Sequence, residues 1–261
     1  MATVIQKNDD LKASDKDPGI VASFLWIVGL IVFQLGGILA AGILQSVITG
    51  EPLMTMTEVD GKPVAVPNMS EVTMMFGIFL GAAALIAVRA KYLCRHIKPA
   101  WDGTMPHALG KKIIGISVLM VIGVGLLTSG YQLLLGEVPI QPELVLFLNA
   151  MNSGPAGILV VFLAGAVGAP VLEEILFRGQ LQGAIQNKFG SNPKAPIYAI
   201  VITSAVFSLI HFQPLAIPPL FLAGVVFGWM RWKSGTLVLP ILAHVLMNTA
   251  SLTILLMTGE I

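Results

Sequence analysis

Three segments of this 261-residue chain place ionisable side chains inside otherwise apolar sequence: Glu173-Glu174-Ile175-Leu176-Phe177-Arg178, Phe207-Ser208-Leu209-Ile210-His211 and His244-Val245-Leu246-Met247-Asn248. Glu174 and Arg178 are four apart, so on a helix they share a face and can pair. Glu173 sits about 100° further around and is free to point elsewhere. His244 and Asn248 also share a face, as do Phe207 and His211. The residues sort into an orienting pair, Glu174 with Arg178, and a convergent set, Glu173, His211, His244 and Asn248. A carboxylate beside a neutral imidazole can hold and deprotonate a water, while a second imidazole and a carboxamide can donate hydrogen bonds to a developing oxyanion. Those are the parts for hydrolysing an amide.

The surrounding sequence is that of a membrane protein. Residues are 56% hydrophobic and 11% charged, with a mean hydropathy of +0.86, against roughly 25% charged for a soluble domain. Apolar stretches recur at 20–45, 72–90, 113–135, 156–176, 197–212, 215–232 and 236–258. Several approach the ~20 residues that a helix needs to cross ~30 Å of hydrocarbon. The expected fold is an all-α, polytopic transmembrane bundle of about seven helices, with bent or re-entrant segments around a polar intramembrane cavity. The pieces ending at Phe212 and starting at Leu215 flank a Pro-rich joint and are either two crossings or a partly re-entrant pair. Residues 1–19 read as a polar tail without a cleavable signal pattern, 20–149 as N-terminal membrane helices with their loops, and 150–261 as the core that bears the three polar segments. An ionisable side chain at membrane depth costs a few kcal/mol or more, so it faces partners and commonly serves a function.

Loop charges give an expected orientation. Residues 89–112 hold Arg89, Lys91, Arg95, Lys98, Lys111 and Lys112 against Asp102, whereas 49–71 and 136–155 are acidic. The positive-inside rule then places the 89–112 loop and the N-terminus in the cytoplasm and the C-terminus outside, in a cell membrane. At ~1.5 Å per helical residue, Glu173 lies roughly 22 Å from Lys188, His211 about 22 Å from Ile197, and His244 roughly 16 Å from Lys233. All three fall near mid-membrane, which requires 157–188 to be one bent crossing. Gly165, Gly168 and Pro170 supply a place for the bend.

Other chemistries fit less well. Cys94 is the only cysteine, and no Gly-x-Ser-x-Gly elbow, His-Glu-x-x-His or Asp within a predicted span is present. The reading needs no cofactor; its runner-up is a zinc ion held by Glu173, His211 and His244, since two imidazoles and a carboxylate suit that metal. The basic 89–112 loop reads as a topology determinant in contact with anionic lipid, not a nucleic-acid site.

Taken together, Glu-Glu-x-x-x-Arg, Phe-x-x-x-His and His-x-x-x-Asn, in that order and each within an apolar segment, resemble the motif series of the CPBP group of integral membrane proteins. That group includes CAAX prenyl endopeptidases of the Rce1 type and bacterial proteins linked to bacteriocin processing or self-immunity. The resemblance covers roughly residues 150–255, and the external loop around 51–68 looks particular to this chain. It implies a glutamate-dependent intramembrane endopeptidase in which Glu173 and His211 activate water, His244 and Asn248 stabilise the oxyanion, and Glu174 and Arg178, with Phe207, organise the site. The implied partner is a hydrophobic or prenylated peptide or protein in the bilayer. Two other classes stay open: an ion-coupled transporter in which Glu and His relay protons, and a non-catalytic scaffold or immunity protein that keeps these residues as helix-to-helix clamps.

Overall fold

The computed structural model describes residues 19–59, 62–101, part of 115–135, and 142–258. The N-terminal tail, Asp102, Lys111, Lys112 and Glu137 lie outside the described residues, as does the chain end after Thr258. The architecture is an all-α polytopic membrane fold carrying one small β-hairpin. Its elements are α1 (Ile20–Thr49), β1 (Met54–Val59), β2 (Lys62–Pro67), α2 (Glu71–Trp101), α3 (Pro142–Asn152), α4 (Pro155–Phe189), α5 (Ala195–Leu209), α6 (Ile217–Ser234) and α7 (Val238–Thr258). The described residues within 115–135 are helical.

Five helices among the described residues are long and apolar enough to cross a membrane: α1, the Glu71–Cys94 part of α2, α4, Pro214–Ser234 and α7. Large apolar side chains stand exposed along them, among them Val21, Leu25, Val32, Leu35 and Leu246. Lipid accepts such side chains, so these faces need no protein cover. α5, with 15 residues, spans only about 22 Å, short of a full straight crossing. The basic stretch expected as a loop from residue 89 begins inside a helix, because α2 runs on to Trp101. No Gly or Pro interrupts it between Gly81 and Pro99, so Arg89 and Lys91 simply extend the same hydrogen-bonded ladder.

The chain forms two compact units. In the unit comprising Val28–Val88, Pro139–Leu172 and Asn248–Ile261, α1 meets α2 backbone to backbone. A Cβ at Gly37 would strike the backbone of Gly77 and Gly81, and one at Gly81 would strike Phe33 and Gln34. Small residues let membrane helices approach this closely, and dispersion then holds them. Met75, Ala150, Met151, Val161, Ala166, Leu252 and Leu255 form the core of this unit. The hairpin pairs Met54 with Pro67 through Val59 with Lys62. Gln45 ties it down, donating to the Asn68 carbonyl at 3.0 Å and accepting from Thr73 Oγ1 at 2.5 Å. This segment had read only as an acidic loop.

The other unit comprises Met1–Ile27, Arg89–Val138 and Glu173–Met247. Here α5 packs on α6, with Gly224 against Ser204 and Gly228 against Ile200. Ala223, Val226, Phe227, Met230 and Ala243 make its α6–α7 core. α6 ends at Gly235, whose φ of 70° suits a left-handed cap.

The helix contact in the first unit gives a direct test. Gly37→Val and Gly81→Val should each lower stability in detergent by about 1–3 kcal/mol or more through overpacking. Gly36→Val, where nothing lies within 4 Å, should leave the melting temperature essentially unchanged.

Candidate active site

α4 positions the acidic motif. It starts behind Gly154 with Pro155 in its first turn and stops at Gly190, whose φ is 54°. The segment from 157 to 188, expected as a single bent crossing, is one continuous helical run. Two stretches within it, Phe162–Gly168 and Glu174–Leu181, are widened into π-helix. In the first, the Ala169 N–H donates to the Ala164 carbonyl, five residues back. The next donor in that register would serve Gly165, but it belongs to Pro170, which has no N–H. Asn248 Nδ2 donates to the Gly165 carbonyl instead, at 3.0 Å. One of the two amide hydrogens of Asn248 is thus spent on the backbone, a role that its spacing to His244 did not reveal.

The second widened stretch is buried at every residue. At its start, Glu174 Oε1 accepts from Arg178 Nη1 at 3.0 Å and from His244 Nδ1 at 2.9 Å. A carboxylate only accepts, so Nδ1 of His244 carries the proton. Glu174 and Arg178 are an ion pair with both side chains fully buried. The other guanidinium nitrogens, Nε and Nη2, have no hydrogen-bond partner among the described residues. The Arg178 cation lies instead over aromatic faces, with Cζ 4.2 Å from the Phe207 centroid and 5.3 Å from that of Phe227. Such faces carry negative quadrupole density and stabilise a desolvated cation.

Phe207 does more than fill space. Its ring stands edge to face with Phe177, His211 and His244, at centroid separations of 5.3, 4.8 and 6.0 Å. Phe227 stacks on the His244 imidazole at 4.7 Å and 23°. Sequence reading missed Phe227, since an aromatic in an apolar stretch carries no mark of its neighbour.

His244 thus has one nitrogen on each acidic residue. Nδ1 bonds Glu174, and Nε2 faces Glu173 Oε2 at 3.7 Å, beyond hydrogen-bond length. Glu173 is partly accessible, its side chain 17% exposed against none for Glu174. His211 lies just beyond the end of α5. Its Nδ1 is 2.6 Å from the Phe207 carbonyl; that oxygen can only accept, so a neutral His211 carries its proton on Nδ1 and presents Nε2 as a base. Among the described residues Glu173 pairs with His244, and no hydrogen bond or ion pair joins it to His211. No three His, Cys, Asp or Glu side chains there stand close enough to hold a metal ion, so the zinc alternative has Glu173 and His244 side by side but no third donor with them.

Residues 155–250, which hold all three motifs, match the family model for Type II CAAX prenyl endopeptidase Rce1-like proteins. This part of the chain is similar to Rce1-like proteins. The chain is also similar to the curated Bacillus subtilis protein named "Putative membrane peptidase YdiL", with 30% identity over 91 residues. That alignment covers 35% of this chain and 35% of the relative, so the chain matches about a third of the relative's length. No solved structure matches. The Rce1-like match and the apolar helices together make this an integral membrane protein.

The geometry predicts unequal roles for adjacent glutamates. Glu174→Ala strands a buried Arg178 and should cost about 3–5 kcal/mol of stability, lowering the melting temperature sharply. Glu173→Gln should leave the melting temperature nearly unchanged.

Proposed function

We propose that this protein is an intramembrane endopeptidase that hydrolyses a peptide bond with a water activated by Glu173. The observation that supports it most is the division of labour around His244. Glu174 is committed to Arg178 and His244 Nδ1, while Glu173 is partly accessible at the other nitrogen. A base oriented by a third group is the logic of hydrolytic triads, recognised by geometry and not by order in the chain.

In this reading, Glu173 takes a proton from water as the oxygen attacks the substrate carbonyl. His244, held through Nδ1 by Glu174, acts in its doubly protonated form and donates Nε2–H to the oxyanion. The proton on Glu173 then passes to the leaving amine as the C–N bond breaks, giving a carboxylic acid and an amine. His211, with Nε2 as a free base, assists the water. Asn248, one turn along α7 from His244, keeps a second amide hydrogen for the same oxyanion. Arg178 and Phe207 fix Glu174 and the imidazole. No cofactor enters the reaction.

Substrates in this reading are hydrophobic or prenylated peptides or proteins presented within the bilayer, and nucleic acid is no partner. The protein sits in a bacterial or archaeal cell membrane with its N-terminus cytoplasmic, as the basic residues around 89–112 favour.

The test is cleavage of quenched fluorescent peptides by the detergent-purified protein, farnesylated CAAX sequences beside unprenylated hydrophobic controls. Wild type should cleave, with or without a chelator, and folded Glu173→Gln should not. His244→Ala should lower kcat by about a hundredfold or more, with a smaller effect on KM. Full activity of Glu173→Gln would contradict the reading. Ion flux without peptide product would favour the transporter alternative, and a silent Glu173→Gln with no product from either protein the scaffold.

A further inference from the structure

We propose that Arg89 is a positioning residue, which holds the widened turn of α4 in register by gripping Gln180. Gln180 is 1% exposed and lies in the π-helical stretch two residues beyond Arg178. With its amide oxygen turned toward α2, it accepts from Arg89 Nη2 at 2.9 Å and Nε at 3.1 Å, a two-pronged contact that a planar guanidinium makes and an ammonium does not. The Arg89 guanidinium is itself set in an aromatic slot, with Cζ 4.5 Å from the Trp26 ring centroid and 4.7 Å from that of Tyr92. Tyr92 in turn seats directly on α4. A Cβ at Gly179 would come within 3.0 Å of the Tyr92 ring, so a side chain there would push the ring away. α1, α2 and α4 therefore contribute one residue after another to a single clamp on residues 179–180.

The clamp matters because π-helix is rare and appears as short, functionally placed turns inside α-helices. Left to itself, the segment would tighten toward α geometry, turning residues after the widened stretch by roughly 100° relative to those before it. Gln180 meets Arg89, and Arg178 lies over Phe207 and Phe227, with the wide turn in place. Holding Gln180 therefore resists the rotation that would turn Arg178 relative to Glu174 at the start of the stretch. A residue whose sequence position reads as a topology charge thus also shapes the site.

The consequence for turnover rests on the hydrolytic reading, so the primary readout is independent of activity. Hydrogen exchange of the purified protein in detergent should show peptides spanning 174–182 exchanging about tenfold faster or more in Arg89→Ala and in Gln180→Met than in wild type, with α3 peptides unchanged. Gln180→Glu keeps an acceptor for the guanidinium and should retain wild-type protection. In the peptide assay, Arg89→Ala should lower kcat about tenfold with little change in KM, and Gln180→Glu should preserve turnover. Should Arg89→Ala fail to accumulate, Gln180→Met, which preserves size and removes the acceptor, carries the test. Unchanged exchange across 174–182, or exchange that rises equally in α3, overturns the proposal. A wild type that cleaves no peptide counts against the hydrolytic reading alone, and the exchange result still decides the clamp.

Discussion

A single buried carboxylate oxygen, Glu174 Oε1, holds both a guanidinium and an imidazole. Placing an ion pair in a membrane interior costs several kcal/mol of desolvation, and geometry alone determines whether the attraction offsets it. Here the offset has three sources: the short contact to Arg178, the second hydrogen bond from His244, and the aromatic faces beneath the cation. Removing any one raises the cost of the others. The orientation of His244 follows from this constraint, because with Nδ1 committed and Phe227 stacked on the ring, Nε2 has one direction left in which to point.

The helix that carries this pair, α4, departs twice from regular α geometry. Pro170 cannot donate, so the backbone before it widens and leaves the Gly165 carbonyl to a side chain, Asn248. Further on, the buried stretch from Glu174 to Leu181 widens again while it carries the ion pair. Irregular backbone survives at membrane depth when protein buries it and its polar groups find partners. The second widened stretch is buried at every residue, and in the first the Gly165 carbonyl finds Asn248.

Much of this was legible in the chain before any coordinate. An acid and an arginine four residues apart in apolar sequence could do little but pair, and the apolar stretches required an all-α membrane fold. One continuous helical segment through Gly165, Gly168 and Pro170 was expected on the same grounds. What sequence could not show was the partner of each glutamate. A periodicity of 3.6 put Glu174 with Arg178 but said nothing of Glu174 with His244, seventy residues away. The bond from Asn248 to the Gly165 carbonyl was hidden as well, because the loss of a backbone donor at Pro170 matters only once the π register is known. Arg89 read as a loop charge because its slot is assembled from Trp26, Tyr92 and Gln180, three residues with no common sequence signature. The hairpin after α1 was hidden for a related reason: its Met, Thr, Val and Pro residues alternate weakly, and its anchor is the distant Gln45.

The central claim is that Glu173 activates water and does not itself attack the carbonyl. Single-turnover cleavage of a peptide substrate in water labelled with heavy oxygen tests this. Direct attack by activated water puts one heavy oxygen into the new carboxylate of the product from the first turnover onward. A product that leaves the first turnover unlabelled, with heavy oxygen later found in the Glu173 side chain, would show an acyl-enzyme and contradict the account.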